Sequence, residues 1–235
     1  MIYNKKSYAT KIGWACFAVT MLITGCAKNP ADAYKNKLAE IFANYAGDFC
    51  IVMDKKQCRL YVFDREQKLA ASYPAGYGMN PDGRHKLYSG DNRTPEGVYY
   101  INEILSMDAA QDTNAYKKLK AMNSVFFRKK DGHYKYENAD EDLGDNVYGP
   151  RFYGIDYPNE YDRKAYQDNV SAGIIPKING NFPGAGGGIA IHGNNDPASI
   201  GHKASSGCIR LYNKDVVAIE RYVRMGTPVV IVGEN

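Results

Sequence analysis

The sequence predicts a mostly β domain with a few short helices. Four segments are rich in β-branched, aromatic and aliphatic residues, and Gly, Pro, Asp or Asn bounds each of them. These segments are residues 49–53, 59–63, 69–73 and 98–101. The first two flank Asp54-Lys55-Lys56-Gln57, a pattern typical of a β-hairpin.

Apolar residues at helical spacing mark the predicted helices. Residues 31–46 predict a short amphipathic helix, which we interpret as a lightly packed spacer ahead of the domain. The pattern over residues 108–122 is helical, and a helix over about 215–224 follows Asn213, a residue type that favours helix caps. A last strand is predicted at residues 229–232.

The region from residue 132 to 188 is rich in Tyr, Asp and Gly and shows little periodicity. We expect an inserted region, about residues 103–187, that caps or rims a cleft. The glycines of residues 184–188 precede a strand and do not open a helix, so they do not form a nucleotide-binding fingerprint. We therefore predict no cofactor.

The first 25 residues have the pattern of a secretory signal peptide. Lysines precede an apolar stretch over residues 12–23, which is too short for a membrane-crossing helix of about 20 residues. The stretch ends Leu22-Ile23-Thr24-Gly25-Cys26, which resembles the bacterial lipoprotein box and predicts lipidation of Cys26. The alternative is an ordinary signal peptide with Cys26 as a bystander.

A lipidated Cys26 predicts a protein of the cell envelope that is anchored in a bacterial membrane and faces the periplasm. The second position after Cys26 holds no Asp, and by resemblance to enteric lipoproteins this favours the outer membrane. Residues 26–47 would then form the spacer, and residues 48–235 one main domain with a sizeable core.

Charge argues against one class of partner. Removal of residues 1–25 takes away three lysines and no acidic residue, so the formal net charge falls from +4 to +1. A nucleic-acid-binding domain usually shows a concentrated basic face, and this near balance predicts no nucleic-acid partner.

Three cysteines follow Cys26, and in an oxidising envelope this odd number leaves one thiol unpaired. Cys50 and Cys58 flank a short turn and are plausible disulfide partners, although the sequence does not settle whether the hairpin register lets them meet. Cys208 would then be free.

The strongest functional signal is His192 and, sixteen residues later, Cys208. His192 ends the apolar run of residues 188–191, which predicts a buried strand. Cys208 follows Ser205-Ser206-Gly207, which predicts a tight turn with backbone amides free to bind an oxyanion. An imidazole that deprotonates the thiol and holds it as an ion pair predicts covalent acyl transfer. The alternatives are a packed cysteine and a satisfied core histidine.

Four motifs in this order resemble one enzyme family. They are Thr94-Pro95-Glu96-Gly97, Ile191-His192-Gly193, residues 205–211 (SSGCIRL) and residues 226–231 (GTPVVI). Together they look like the L,D-transpeptidase catalytic domain of bacterial cell-wall enzymes, the YkuD type, and the resemblance spans residues 48–232. It implies a β sandwich or open barrel with few helices.

The resemblance also implies roles for individual residues. Cys208 would be the nucleophile, His192 the base, and the Gly193 carbonyl would orient the imidazole. The amides of Gly207 and Cys208 would line the oxyanion site, and Arg210 would assist by charge or by supporting the cysteine turn. The implied substrates are peptidoglycan stem peptides, which lose terminal D-Ala and pass to an amine acceptor; no metal is implied.

One position departs from the family pattern. Ser206 stands where the family usually has His before Gly-Cys, and a hydroxyl does not take up a proton near neutral pH. Any auxiliary role of that imidazole is therefore missing or supplied elsewhere, and His202 is the candidate. The alternative is that His202 is an exposed loop residue.

The sequence is also compatible with other functions. Residues 90–97 and 157–163 are similar to the YafK-like branch, which includes hydrolases of the link between wall and lipoprotein, so water in place of an amine is an alternative acceptor. Arg93 and Arg163 either hold a substrate carboxylate or form surface ion pairs. A non-catalytic peptidoglycan-binding lipoprotein is a further alternative. A zinc site that uses His192, His202 and Cys208 is disfavoured, because no two of these residues have the close spacing of about two to four residues that is usual for zinc ligands.

Overall fold

The computed structural model describes residues 30–125 and 146–234. The strands are β1 (Phe49–Asp54), β2 (Arg59–Asp64), β3 (Leu69–Pro74), β4 (Tyr77–Gly78), β5 (Gly97–Ser106), β6 (Arg151–Ile155), β7 (Ala190–His192), β8 (Lys203–Ser205), β9 (Ile209–Arg210) and β10 (Pro228–Val232). The helices are α1 (Pro30–Asn44), α2 (Asn114–Val125), α3 (Glu160–Ser171) and α4 (Asn213–Ala218), with 3₁₀ turns at Pro197–Ser199 and Ile219–Tyr222. The prediction of a mostly β fold with a few short helices is confirmed.

Several predictions lie outside the described residues. They are the signal peptide of residues 1–25, the lipidation site Cys26, and the part of the expected cap at residues 126–145. No helix in the described part of the chain is long and apolar enough to cross a membrane.

Eight strands form one mixed sheet in the order β3-β2-β1-β10-β5-β6-β7-β9, and β4 pairs with β8 in a separate parallel pair. The sheet is curled into a half-barrel. Pro74 ends β3 at one edge, and two residues later Gly76 exchanges backbone hydrogen bonds of 2.9 and 2.8 Å with Arg210 of β9 at the other edge. Since two residues span at most about 7 Å, the two edges approach each other at this end.

The concave side of the sheet holds the main core. Alternate residues of the strands point inward, as the pleat requires. The pairs Ile51–Val229 and Ile191–Ile209 show this, because each joins inward residues of neighbouring parallel strands. Burial of each such aliphatic side chain contributes about 1.5–3 kcal/mol to stability.

Helix α1 covers the convex side of β1, β2 and β10. Its Tyr34, Leu38 and Phe42 form a stripe at helical spacing that packs on outward residues such as Val52 and Phe63. Leu38 has no exposed surface. The expectation that this segment is a lightly packed spacer is therefore wrong, because its apolar stripe matches an apolar sheet face.

Cys50 and Cys58 are both free thiols. Cys50 pairs with Phe63 in the hairpin, whereas Cys58 lies in the turn beyond the last pair, Asp54 with Arg59. Along the strand direction, Cys50 and Cys58 are therefore about five residues apart, at roughly 3.4 Å for each residue. This distance is far more than the roughly 4.4–6.8 Å that a disulfide requires between Cα atoms. The plausible disulfide is therefore wrong.

The region expected to be an inserted cap contributes to the sheet itself. β6 lies between β5 and β7, and every one of its residues is buried. The expectation of an insertion at residues 103–187 is wrong for these residues, because β6 is part of the sheet and β5 extends to Ser106. Helix α3 begins with a capping box, in which Asn159 and Asp162 each bond the other's backbone amide.

The last predicted helix is divided into α4 and the 3₁₀ turn at 219–222. Asn213 is not its cap. The N-cap residue is Tyr212, which makes no side-chain capping bond, while Oδ1 of Asn213 accepts the amide of Asn194 at 2.8 Å. This tie connects the start of α4 to the loop that follows β7.

Candidate active site

Two short parallel strands bring His192 and Cys208 to the same face of the sheet. Their register pairs Ile191 with Ile209 and His192 with Arg210. Ile191 and Ile209 point into the main core, so His192 and Cys208, each one residue away from this pair, lie on the convex side. Cys208 packs there against a small cluster that includes Phe152.

His192 is a buried, neutral imidazole. Phe152 stacks on its ring at 6.0 Å between centroids, and Tyr148 meets it edge-on at 5.0 Å. Burial lowers the pKa of His192 to about 3, against an upward effect of the Gly193 carbonyl. Nδ1 contacts that carbonyl oxygen. Because a carbonyl only accepts, Nδ1 carries the proton and Nε2 is the free basic nitrogen.

The Cys208 thiol is partly exposed and donates to the Gly188 carbonyl at 3.5 Å. Burial raises its pKa, and the Ala190 amide together with the charges of Arg210 and Lys86 lower it, with a net upward direction. No hydrogen bond among the described residues joins this thiol to the imidazole. The resting pair is therefore neutral, unlike the ion pair that the sequence predicted, because desolvation penalises both charged forms.

The turn before the nucleophile is held by a buried hydroxyl. Oγ of Ser205 accepts the Gly207 amide at 3.1 Å and donates to the Cys208 carbonyl at 2.6 Å. Gly207 has φ of +138°, and a Cβ atom there would lie 2.9 Å from the Arg93 carbonyl oxygen, so glycine is required on both counts. The expectation that the Gly207 amide is free for an oxyanion is wrong, which leaves the Cys208 amide as the candidate donor.

Arg210 places its charge beside both candidate catalytic groups. Nη1 donates to the Ala204 carbonyl at 3.1 Å, while Nε is buried and has no partner among the described residues. The charge contributes to the lowered pKa of His192 and counters the rise in the pKa of Cys208.

Ser206, which stands where the family usually has His, and His202, the candidate to replace that His, are both exposed. Ser206 lies at the surface of the turn before Gly207, and His202 lies in the loop before β8. In the described parts of the chain, no group of three or more His, Cys, Asp and Glu side chains is arranged to hold a metal ion.

Arg93 forms an ion pair, as one of the two alternatives predicted. Its Nε donates to Asp82 at 3.0 Å, and this contact holds the pKa of Asp82 well below its usual range. Arg163 is exposed on α3. A second pair near the nucleophile, Lys86 with Asp91 at 2.7 Å, is almost fully buried.

The sequence did not predict the aromatic rings that pack against the His192 imidazole, nor the hydrogen bonds of the buried Thr94. Phe152 lies directly opposite His192 in the β6–β7 register, a relation that no sequence pattern indicates. Thr94 is part of the Thr-Pro-Glu-Gly motif, and nothing in that pattern indicates a role for its hydroxyl. Its hydroxyl donates to the Gly207 carbonyl at 2.8 Å, across 113 residues of chain.

Comparisons with known proteins find similar sequences and structures. A family model, the L,D-transpeptidase catalytic domain, matches residues 48–231. The chain is 56% identical to the YkuD protein of Bacillus subtilis over 41 residues, which cover 17% of this chain and 25% of that protein. It is 29% identical to the YqjB protein of the same organism over 145 residues, which cover 62% of this chain and 64% of that protein.

The chain therefore spans between a quarter and just under two thirds of the length of these relatives. Among solved structures, it is similar to the helical cell shape determining protein Pgp2 from Campylobacter jejuni. That match has a TM-score of 0.47 and 19% identity, and it covers 84% of this chain and 54% of the other.

Proposed function

The chain belongs to the L,D-transpeptidase catalytic domain family, and on that premise we propose that it is a cysteine-dependent peptidoglycan L,D-transpeptidase. Its donor would be a stem peptide that ends in D-Ala, and its acceptor an amine of a second stem peptide. The observation that carries the proposal is the shared convex face of Cys208 and a neutral, oriented His192, with the charge of Arg210 beside both.

The first half-reaction forms a thioester. Nε2 of His192 accepts the thiol proton while Sγ of Cys208 attacks the carbonyl carbon between the L-centre of diaminopimelate and the terminal D-Ala. Because both groups rest neutral, the proton moves from Sγ to Nε2 as sulfur attacks, and the negative charge develops on the substrate oxygen. The Cys208 amide then donates to that oxygen.

The first half-reaction ends when the imidazolium returns its proton to the nitrogen of D-Ala, the C–N bond breaks and D-Ala leaves, which completes the thioester. The second half-reaction resolves that thioester. An amine of the acceptor next attacks the thioester carbonyl, His192 takes the amine proton, and the thiol is regenerated. If water attacks instead, the same site acts as a hydrolase and releases a shortened stem peptide.

The cellular setting is part of the proposal. A lipid on Cys26 would hold the domain at a bacterial membrane, facing the periplasm, where stem peptides are accessible. Intact-mass analysis of the mature protein tests this: a lipid-modified cysteine at its first residue is expected, whereas an unmodified Cys26 or a different first residue would contradict it.

The activity is tested with purified protein and disaccharide tetrapeptides, with products identified by mass. We expect D-Ala release together with a cross-linked dimer. Tripeptide without a dimer would assign the hydrolase reaction, and unchanged substrate would support a peptidoglycan-binding role and reject the enzymatic proposal. Cys208→Ser provides the background, since its hydroxyl is a poor nucleophile in a site built for a thiol.

A further inference from the structure

Thr94 connects three segments around the nucleophile. Its hydroxyl donates to the Gly207 carbonyl and accepts the Gly78 amide, both at 2.8 Å. The side chain is about 1% exposed, so these bonds are shielded from water. A hydroxyl has one proton to donate, and the Gly207 carbonyl receives it.

The threonine is itself held in place by close backbone packing. A Cβ atom on Gly78 would lie 2.7 Å from the Thr94 amide nitrogen, so the absence of that atom lets the two segments touch. On the other side, the Arg93 carbonyl packs against Gly207 in the same way. Thr94 therefore cannot shift without moving β4 or the turn at residues 205–208 that precedes β9.

The Gly207 carbonyl and the Cys208 amide belong to one peptide plane. In a trans peptide the C=O and N–H bonds point in opposite directions, so fixing the carbonyl also fixes the direction of the amide. Ser205 holds the next carbonyl of the turn, that of Cys208. Rotation of the Gly207–Cys208 plane is thus opposed at the Gly207 carbonyl by Thr94.

We propose that Thr94 is a positioning residue that aims the Cys208 amide into the oxyanion site by holding the Gly207 carbonyl. This inference rests on the proposed acyl-transfer function. It assigns a purpose to the Thr-Pro-Glu-Gly segment, whose threonine is 114 positions before the nucleophile in sequence and whose contact with the turn is made only by folding.

The test compares two reactions of Cys208. Acylation by p-nitrophenyl acetate passes through an oxyanion, whereas alkylation by iodoacetamide displaces iodide at carbon and forms none. We expect Thr94→Val to slow acylation by roughly 10- to 100-fold, which is less than the roughly 100- to 1,000-fold for a donor that is removed outright, because the Cys208 amide is misdirected and not deleted. Alkylation should stay within about twofold. Thr94→Ser keeps the hydroxyl and is expected to retain both rates within about threefold.

Thr227→Val is the matched control. Thr227 is equally buried, and its hydroxyl accepts the Arg224 amide in the turn before β10. We expect this variant to keep both rates. Equal slowing of acylation and alkylation by Thr94→Val, or no slowing of either, would overturn the proposal.

The amide resonance of Cys208 in protein labelled with ¹⁵N-cysteine supplies a second readout, assigned by its loss in Cys208→Ala. We expect it to move in Thr94→Val and to stay in Thr94→Ser and Thr227→Val. An unmoved resonance in Thr94→Val would overturn the role of Thr94. Wild-type protein that is alkylated but not acylated would instead count against the proposed function, and the resonance would still decide the role of Thr94.

Discussion

Cys50 and Cys208 lie on the same convex side of the curled sheet, yet their surroundings differ. Cys50 has no exposed surface and packs beneath α1, and its thiol donates to the Ile51 carbonyl at 3.7 Å. Burial raises its pKa to about 12. Burial also raises the pKa of Cys208, but there the Ala190 amide and two positive charges oppose it.

The comparison indicates that burial without an opposing charge or donor keeps a thiol protonated. What distinguishes Cys208 is its neighbours: a basic nitrogen on the same face, the charges of Arg210 and Lys86, and a partly exposed sulfur. Helix α1 covers Cys50 on the convex side, whereas Cys208 packs at the edge of a smaller cluster around Phe152 and Ala190. The same fold thus holds one structural cysteine and one candidate nucleophile.

The largest expected effect comes from exchanging each cysteine for alanine. Cys208→Ala is expected to lower D-Ala release by at least about 1,000-fold, because the covalent step is lost. Cys50→Ala is expected to retain turnover, because nothing at Cys50 reaches the site. D-Ala release from a tetrapeptide measures both variants, and equal losses would remove the distinction between the two cysteines.

Removal of the base is expected to have the next largest effect. His192→Gln keeps a polar group of similar size but has no nitrogen that accepts a proton, so turnover should fall by roughly 100- to 10,000-fold. His202→Gln is the control, since His202 is exposed in the loop before β8. A large loss in His202→Gln would show that the loop histidine replaces the missing auxiliary imidazole.

Stability is expected to depend on pH through His192. Its pKa is about 3 in the fold and about 6.5 in the unfolded chain, so below pH 6.5 the unfolded state binds a proton that the folded state excludes. The free energy of unfolding should therefore fall by about 2 kcal/mol between pH 7 and pH 5 from this group. Urea unfolding at the two pH values measures the change.

His192→Gln should lose that part of the acid sensitivity. Some slope should remain, because burial also lowers the pKa of His85. Cys50→Ala should keep the full slope. If His192→Gln and wild type respond equally to acid, the buried neutral imidazole is refuted.

The smallest expected effect concerns packing at Cys50. Loss of its sulfur beneath α1 should lower the free energy of unfolding by about 1 kcal/mol, since one heavy atom is removed from a filled space. Denaturant midpoints compare Cys50→Ala with wild type. A much larger loss would indicate that Cys50 has a role beyond packing.

Local sequence patterns were sufficient to predict β1 and β2. β1 and β2 form a short hairpin with alternating side chains, and both were predicted within one residue of their observed bounds. β6 was missed because it includes Arg151 and Gly154, which interrupt its apolar pattern. Helix α3 has little apolar periodicity, although the Asn159 and Asp162 spacing was a usable capping signal.

The site was partly predictable for the same reason. His192 and Cys208 stand in recognisable local patterns, and the structure places them on one face. The neutral state of the pair, the occupied Gly207 amide and the bond from Thr94 depend on residues far apart in sequence. Such long-range packing and desolvation leave no trace in spacing or composition.

The central claim is that Cys208 carries the acyl group. Rapid quenching of the purified protein with disaccharide tetrapeptide, followed by peptide mass mapping, tests it most directly. We predict an adduct on the peptide that contains Cys208, with the mass of the donor less D-Ala. An adduct on any other residue during turnover, or turnover that persists in Cys208→Ala, would contradict the account.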